Sequence, residues 1–225
     1  MLVVIGGGQV GSYHARQLLK AVRGGRLVGE RLLLVDRDGS CQAFQEFGGA
    51  PEVLTERAEW SDFLRGWLPE ASYRDHLVPT PWAPHLLCDW LAADLGAEVV
   101  EPPRGWRLPY EVGVGDTLYL SAAAWACPAT CVEPAHCPAL HSPRDWDLGD
   151  LIAAEARARG YEPAVFRLRH LGGGVASIGV GEILSLRDGL RRMAQARTVV
   201  ATSSRCHAAV NAIQIFTFAP RAVQS

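Results

Sequence analysis

The chain opens Leu2-Val3-Val4-Ile5-Gly6-Gly7-Gly8-Gln9-Val10-Gly11, an apolar β-branched run that breaks into glycines. A short apolar run ending at a turn describes a buried strand. Beyond the glycines the period changes: Val10, Tyr13, His14, Gln17 and Leu18 recur at helical spacing, and Gly24-Gly25 supplies the stop. Arg31-Leu32-Leu33-Leu34-Val35-Asp36 is then a second buried strand closed by an acid. Strand, glycine turn, helix and strand follow one another, which is the start of a parallel sheet with helices on its faces.

Gly6, Gly8 and Gly11 stand in the pattern G-x-G-x-x-G, between a strand and a helix. In that setting Gly6 serves the tight turn, Gly8 the approach of a backbone to a pyrophosphate, and Gly11 the packing of helix on strand. The amides of Gln9 and Val10 open the helix, where the dipole favours an anion. Asp36 is placed to accept hydrogen bonds from ribose hydroxyls. Its carboxylate would repel a 2′-phosphate, which favours NAD over NADP, while Arg37 beside it points the other way. FAD enzymes share the same fingerprint. Asp36 lies 25 residues past Gly11, slightly long, which Gly24 to Glu30 absorbs as an enlarged loop.

The stretches VVIGGGQVGSYHARQLL and LLLVDRD resemble the NAD(P)-binding Rossmann superfamily, in particular potassium-uptake regulatory NAD-binding domains and precorrin-2 dehydrogenases. The resemblance covers the first forty residues well and the next sixty in pattern only. It implies a Rossmann-like, doubly wound, mainly parallel sheet and a bound dinucleotide. The regulatory domains are ligand sensors and the dehydrogenases are enzymes, so it leaves turnover open. The second half resembles no family we can name.

Further along, helices are expected over 40–47, 55–67 and 83–95, with strands at 75–79 and, as the fourth of the first sheet, 97–100. Proline and arginine crowd Glu101 to Pro109, so a Rossmann unit over 1–101 and a smaller α/β part over 102–225 are expected. In the latter, Thr117–Ser121, Ala164–Leu168, Val175–Gly179 and Thr198–Thr202 read as strands. Residues 148–159, 182–196 and His207 to Phe216 read as helices.

The chain holds six cysteines. Cys41 and Cys88 stand alone among apolar neighbours and read as core residues. Cys127, Cys131 and Cys137 fall within eleven residues of a proline-rich loop over 126–145, and Cys206 precedes His207 after a strand. Four thiolates suit tetrahedral zinc or an iron–sulfur cluster, and His136 or His207 can replace one of them. The spacing C-x3-C-x5-C matches no standard pattern of either metal, and buried reduced thiols are the plainer alternative.

Composition sets the outer limits. Of 225 residues, 48 % are hydrophobic and 20 % charged, with a net charge of −2. No basic run offers itself to nucleic acid or an anionic membrane. No apolar window reaches the roughly eighteen residues of a membrane span. A cytoplasmic protein with a small-molecule nucleotide as partner is expected, and a homo-oligomer is compatible with His14 at an interface. The reading is an NAD(H)-binding oxidoreductase-like protein with an iron–sulfur or zinc centre; the alternative is a nucleotide- or redox-sensing regulatory module without turnover.

Overall fold

The computed structural model describes residues 1–28, 30–81, 83–124, 127, 131–193 and 195–216. The chain begins with β1 (Leu2–Ile5), α1 (Gln9–Arg23), β2 (Leu32–Asp36), α2 (Gln42–Phe47), β3 (Val53–Arg57), α3 (Trp60–Trp67), β4 (His76–Val78) and α4 (Leu86–Leu95). Strands β4, β1, β2 and β3 lie side by side in that order, all parallel. Residues 53–57 are a strand and not the start of a helix. Thr55, Glu56 and Arg57 are polar because β3 is the exposed edge of this sheet.

The rest follows as β5 (Glu98–Val100), β6 (Tyr110–Val114), β7 (Thr117–Ser121), β8 (His136–Cys137), β9 (Ser142–Pro143), α5 (Leu148–Ala158), β10 (Glu162–Arg167), β11 (Arg169–Gly172), β12 (Val175–Gly179), α6 (Val180–Arg191), β13 (Ala196–Ser203) and β14 (His207–Ile215). A second sheet runs β10-β13-β14-β7-β6, with β5 also on β14. Only β10 and β13 are parallel in it; the other pairings are antiparallel.

The molecule is a mixed α/β fold with two mixed sheets: where a mainly parallel sheet was expected, with the second half either extending it or standing apart, there is a parallel block of four strands and a separate, largely antiparallel sheet. Two exchanges interleave the halves. β5, expected as the fourth strand of the first sheet, pairs antiparallel with β14 in the second. The hairpin β11–β12 returns from the second half and adds antiparallel to β4.

β14 is the largest departure from expectation. Its Ala-rich sequence HAAVNAIQI suits a helix by propensity. It lies instead in the middle of the second sheet, between β13 and the strands β7 and β5. Small side chains fit there because both faces are covered, and tertiary packing overrides local preference.

Alternation sorts each strand between layers. Leu2, Val4, Leu32 and Leu34 face α1 and α2. Val3, Ile5, Leu33 and Val35 face the opposite side, where α3, α4 and α6 separate the sheets. Ala164, Phe166, Val200 and Ile213 of the second sheet close that same core, while Val165, Val199, Ala201 and Val210 pack on α5 and Trp106. The order is helix, sheet, helix, sheet, helix, with one hydrophobic cluster shared by both sheets.

Candidate functional site

The glycine turn is built as its spacing requires. Gly6 has φ +91°, a conformation that side chains with a Cβ rarely adopt. A Cβ on Gly11 would sit 1.7 Å from the Gly6 carbonyl oxygen, whereas one on Gly8 meets nothing within 4 Å. Gly11 therefore lets α1 close on β1, and Gly8 leaves open space over the turn. Gly8 is the N-cap of α1, without a side-chain cap and with no acid in the first turn. Gly8 and Gln9 are exposed and Val10 half-buried, so the positive end of a fifteen-residue helix faces that space.

Asp36 is only 7 % exposed. Its Oδ2 accepts the Gly7 N–H at 2.5 Å and its Oδ1 the Asp38 N–H at 2.8 Å. The acid expected on a ribose thus orders the glycine turn itself, and each oxygen keeps a second lone pair. Arg37 is exposed, with its guanidinium 5.8 Å from the centre of the Trp60 ring.

Beside the turn lies a cavity of about 480 Å³, within the size range of small-molecule sites. Val10 and His14 of α1 and Pro79-Thr80-Pro81 after β4 form one wall. Leu168 after β10 and Thr202 and Ser204 at the end of β13 form another. The carboxyl ends of parallel strands from both sheets converge here, the usual place for ligands in α/β proteins. Thr80 ties cavity to turn, its Oγ1 lying 3.5 Å from where a Gly6 Cβ would stand.

Cys127, Cys131, Cys206 and His207 line this cavity. Sequence distance hides that meeting, which the β13–β14 turn brings about by folding residues 204–206 against the proline-rich loop. Arg205 and Cys206 stand in this hairpin turn and His207 opens β14, not a helix. Ser204 Oγ accepts the N–H groups of Cys206 and His207 at 3.3 and 3.1 Å. The Cys127 N–H points to His207 Nε2 at 3.4 Å. Residues 125, 126 and 128–130 of the loop lie outside the described residues.

Cys137 and His136 do not join the cavity. Cys137 is buried on β8, and His136 is exposed one residue away. The backbone N–H of Leu140 pulls the Cys137 thiol below its ordinary value, with the Ala139 N–H and Arg144 adding to it against burial. Burial pushes Cys206 up, against the Arg144 guanidinium, whose Nε donates to Cys206 Sγ at 3.1 Å. Arg144, 5 % exposed, also donates to the Pro134 carbonyl. A guanidinium thus lies against the Cys206 sulfur. Among the described residues no three His, Cys, Asp or Glu side chains converge as ligands of one ion. The expected set Cys127, Cys131, Cys137, Cys206, His136 and His207 is split between a cavity wall and a guanidinium-filled pocket behind it.

Three groups at this site carried no role in the sequence reading. Glu133 sits between two of the quoted cysteines, and its side chain is 6 % exposed. Its carboxylate accepts the N–H of Arg205 and of Cys206, both at 3.2 Å. His170, on the β11 hairpin, lies with Nε2 3.6 Å from Glu133 Oε2. Arg144 is the third. A carboxylate inside a Cys-rich loop was the available signal for Glu133; His170 carried none, because its hairpin reaches the cavity only through pairing with β4.

Thiol reactivity follows from these surroundings. Burial raises Cys88 to about 12, so little thiolate exists there at neutral pH. Cys127 and Cys131 are half-buried at the cavity. Iodoacetamide labelling read by peptide mass spectrometry is expected to modify them at least about 100-fold faster than Cys88. Equal rates would mean that the cavity is closed to solvent.

The family model AF_1314_C, described as "Uncharacterized protein, C-terminal domain", matches residues 83–216. No curated protein and no solved structure matches the chain.

Proposed function

Because the chain belongs to the AF_1314_C family, whose description carries no activity, we propose its function from the site: an NAD(H)-binding oxidoreductase-like protein. The nucleotide's pyrophosphate lies over Gly6, Gly8 and the amides of Gln9 and Val10, and Asp36 and Arg37 flank its ribose. The neighbouring cavity takes a small-molecule substrate. The observation that carries this reading is the uncapped start of α1 at Gly8, where an added Cβ would meet nothing within 4 Å, on the same helix whose Val10 lines the neighbouring cavity. When bound, the nicotinamide supplies hydride chemistry; the chain supplies binding, orientation and the proton.

Calorimetry with NADH, NADPH and FAD tests it. NADH is expected to bind with a Kd at least about tenfold below that of NADPH, since the Asp36 carboxylate repels a 2′-phosphate. No heat with any of the three would remove the proposal. Tight NADH binding without oxidation by any electron acceptor would assign the chain to the regulatory, non-turnover alternative.

A thiol-held metal is the second reading. N–H groups directed at sulfur, from Glu133 to Cys131 at 3.4 Å and from Leu140 to Cys137, are the environment that thiolate ligands use. The described residues do not complete a ligand set, and Arg144 stands against it. Elemental analysis of anaerobically purified protein decides: one equivalent of zinc or iron carries this reading, and none removes it.

A further inference from the structure

We propose that His170 is the proton-transfer group of the cavity, oriented by Glu133, and that the occupant is an apolar molecule bearing one hydroxyl or carbonyl oxygen. This rests on the oxidoreductase reading for its chemistry, although the pair itself is defined by geometry alone.

Four observations meet at these two residues. Both line the cavity. Glu133 has φ +48°, and a non-glycine residue is held in that region only where its surroundings over-determine it, most often at functional sites. The strain places a buried carboxylate against the N–H groups of Arg205 and Cys206 while Oε2 faces His170 Nε2. On the partner side, the β11–β12 pairing shifts register between His170 and Gly172. A bulge of this kind re-aims a side chain and is frequent beside active sites.

The pairing has a chemical consequence. A carboxylate facing Nε2 favours the proton on that nitrogen, so Nδ1 carries the lone pair. Nδ1 then takes the proton of a bound alcohol, or returns it to a carbonyl oxygen, while Glu133 balances the imidazolium. The O–H bond breaks, an N–H bond forms, and the electron pair stays on the substrate oxygen. Leu120, Leu168, Ala176 and Tyr119 supply the apolar wall, so the substrate class is an apolar alcohol or its carbonyl partner and not a polyanion.

The test uses the whole chain labelled with ¹⁵N-histidine, read by two-bond ¹H–¹⁵N correlation at a pH where the ring is neutral, with His170→Gln to assign its peaks. The Nε2–H tautomer is expected, and Glu133→Gln is expected to move the pattern toward Nδ1–H. An Nδ1–H tautomer in the parent protein overturns the proposal, as does an unchanged pattern in Glu133→Gln. If Glu133→Gln does not fold, the parent tautomer decides alone. With NAD and medium-chain alcohols, His170→Gln is expected to lower kcat at least about 100-fold with nucleotide Kd unchanged; equal kcat also overturns it. The tautomer is read without nucleotide. A failed nucleotide titration therefore removes the oxidoreductase reading, and a wrong tautomer removes only this one.

Discussion

Gly11→Ala is expected to destabilise the protein by about 3 kcal/mol, lowering Tm by about 6–12 °C for a chain of this size. The added carbon would lie 1.7 Å from the Gly6 carbonyl oxygen, which is backbone and has no rotamer to yield. Either α1 lifts from β1 or the turn opens, and both disturb the core of Leu2, Val4 and Leu18. Gly8→Ala is the matched control. Nothing lies within 4 Å of its new Cβ, so Tm should stay within about 2 °C. The same methyl occupies the space assigned to phosphate, and NADH affinity should fall at least about tenfold, about 1.4 kcal/mol. Melting curves and calorimetry on both variants separate packing from binding. A Gly8→Ala protein that binds NADH normally would show that the nucleotide does not use this turn.

Phe166→Ala is expected to cost about 4 kcal/mol. Phe166 is fully buried on β10 within the cluster that faces both sheets. Its loss leaves a void in the cluster that also holds Val3, Ile5 and Leu77 of the first sheet and Val200 and Ile213 of the second. Because that core is common property, calorimetric melting should move as one transition. Two separated transitions, with only the second shifted, would mean that the sheets melt independently.

How much of this was legible in the sequence depends on how local each feature is. The segment from Leu2 to Asp36 announces its own strand, turn and helix, because the apolar run, the glycines and the helical period all lie within that stretch, although β1 also pairs with β4 and Tyr13 reaches Gly173. β3 was hidden by Thr55, Glu56 and Arg57, whose polarity reports an exposed edge and not the absence of a strand. β6 was hidden by Gly113 and by its exposed place at the edge of the second sheet. β14 could not be read locally at all: alanines state helix preference, and only flanking strands and covered faces make them a central strand. The site divides the same way. Gly6, Gly8, Gly11 and Asp36 were visible by spacing, although Asp36 turns its carboxylate onto Gly7 and Asp38. The cysteines were visible as a cluster, but Arg144 between Cys137 and Cys206 has no sequence signature. His170 acquires a role only once its hairpin pairs with β4.

That hairpin also dictates a timetable for the nascent chain. β4 ends at Val78 and its antiparallel neighbour β12 begins to be made at Val175, roughly 100 residues later. At a synthesis rate of about 5–20 residues per second, the β4 flank of the first sheet waits roughly 5–20 s for its partner. A ribosome-bound intermediate with an open strand edge is thus built into the order of the segments, and slowing translation between β4 and β12 would lengthen its exposure to chaperones.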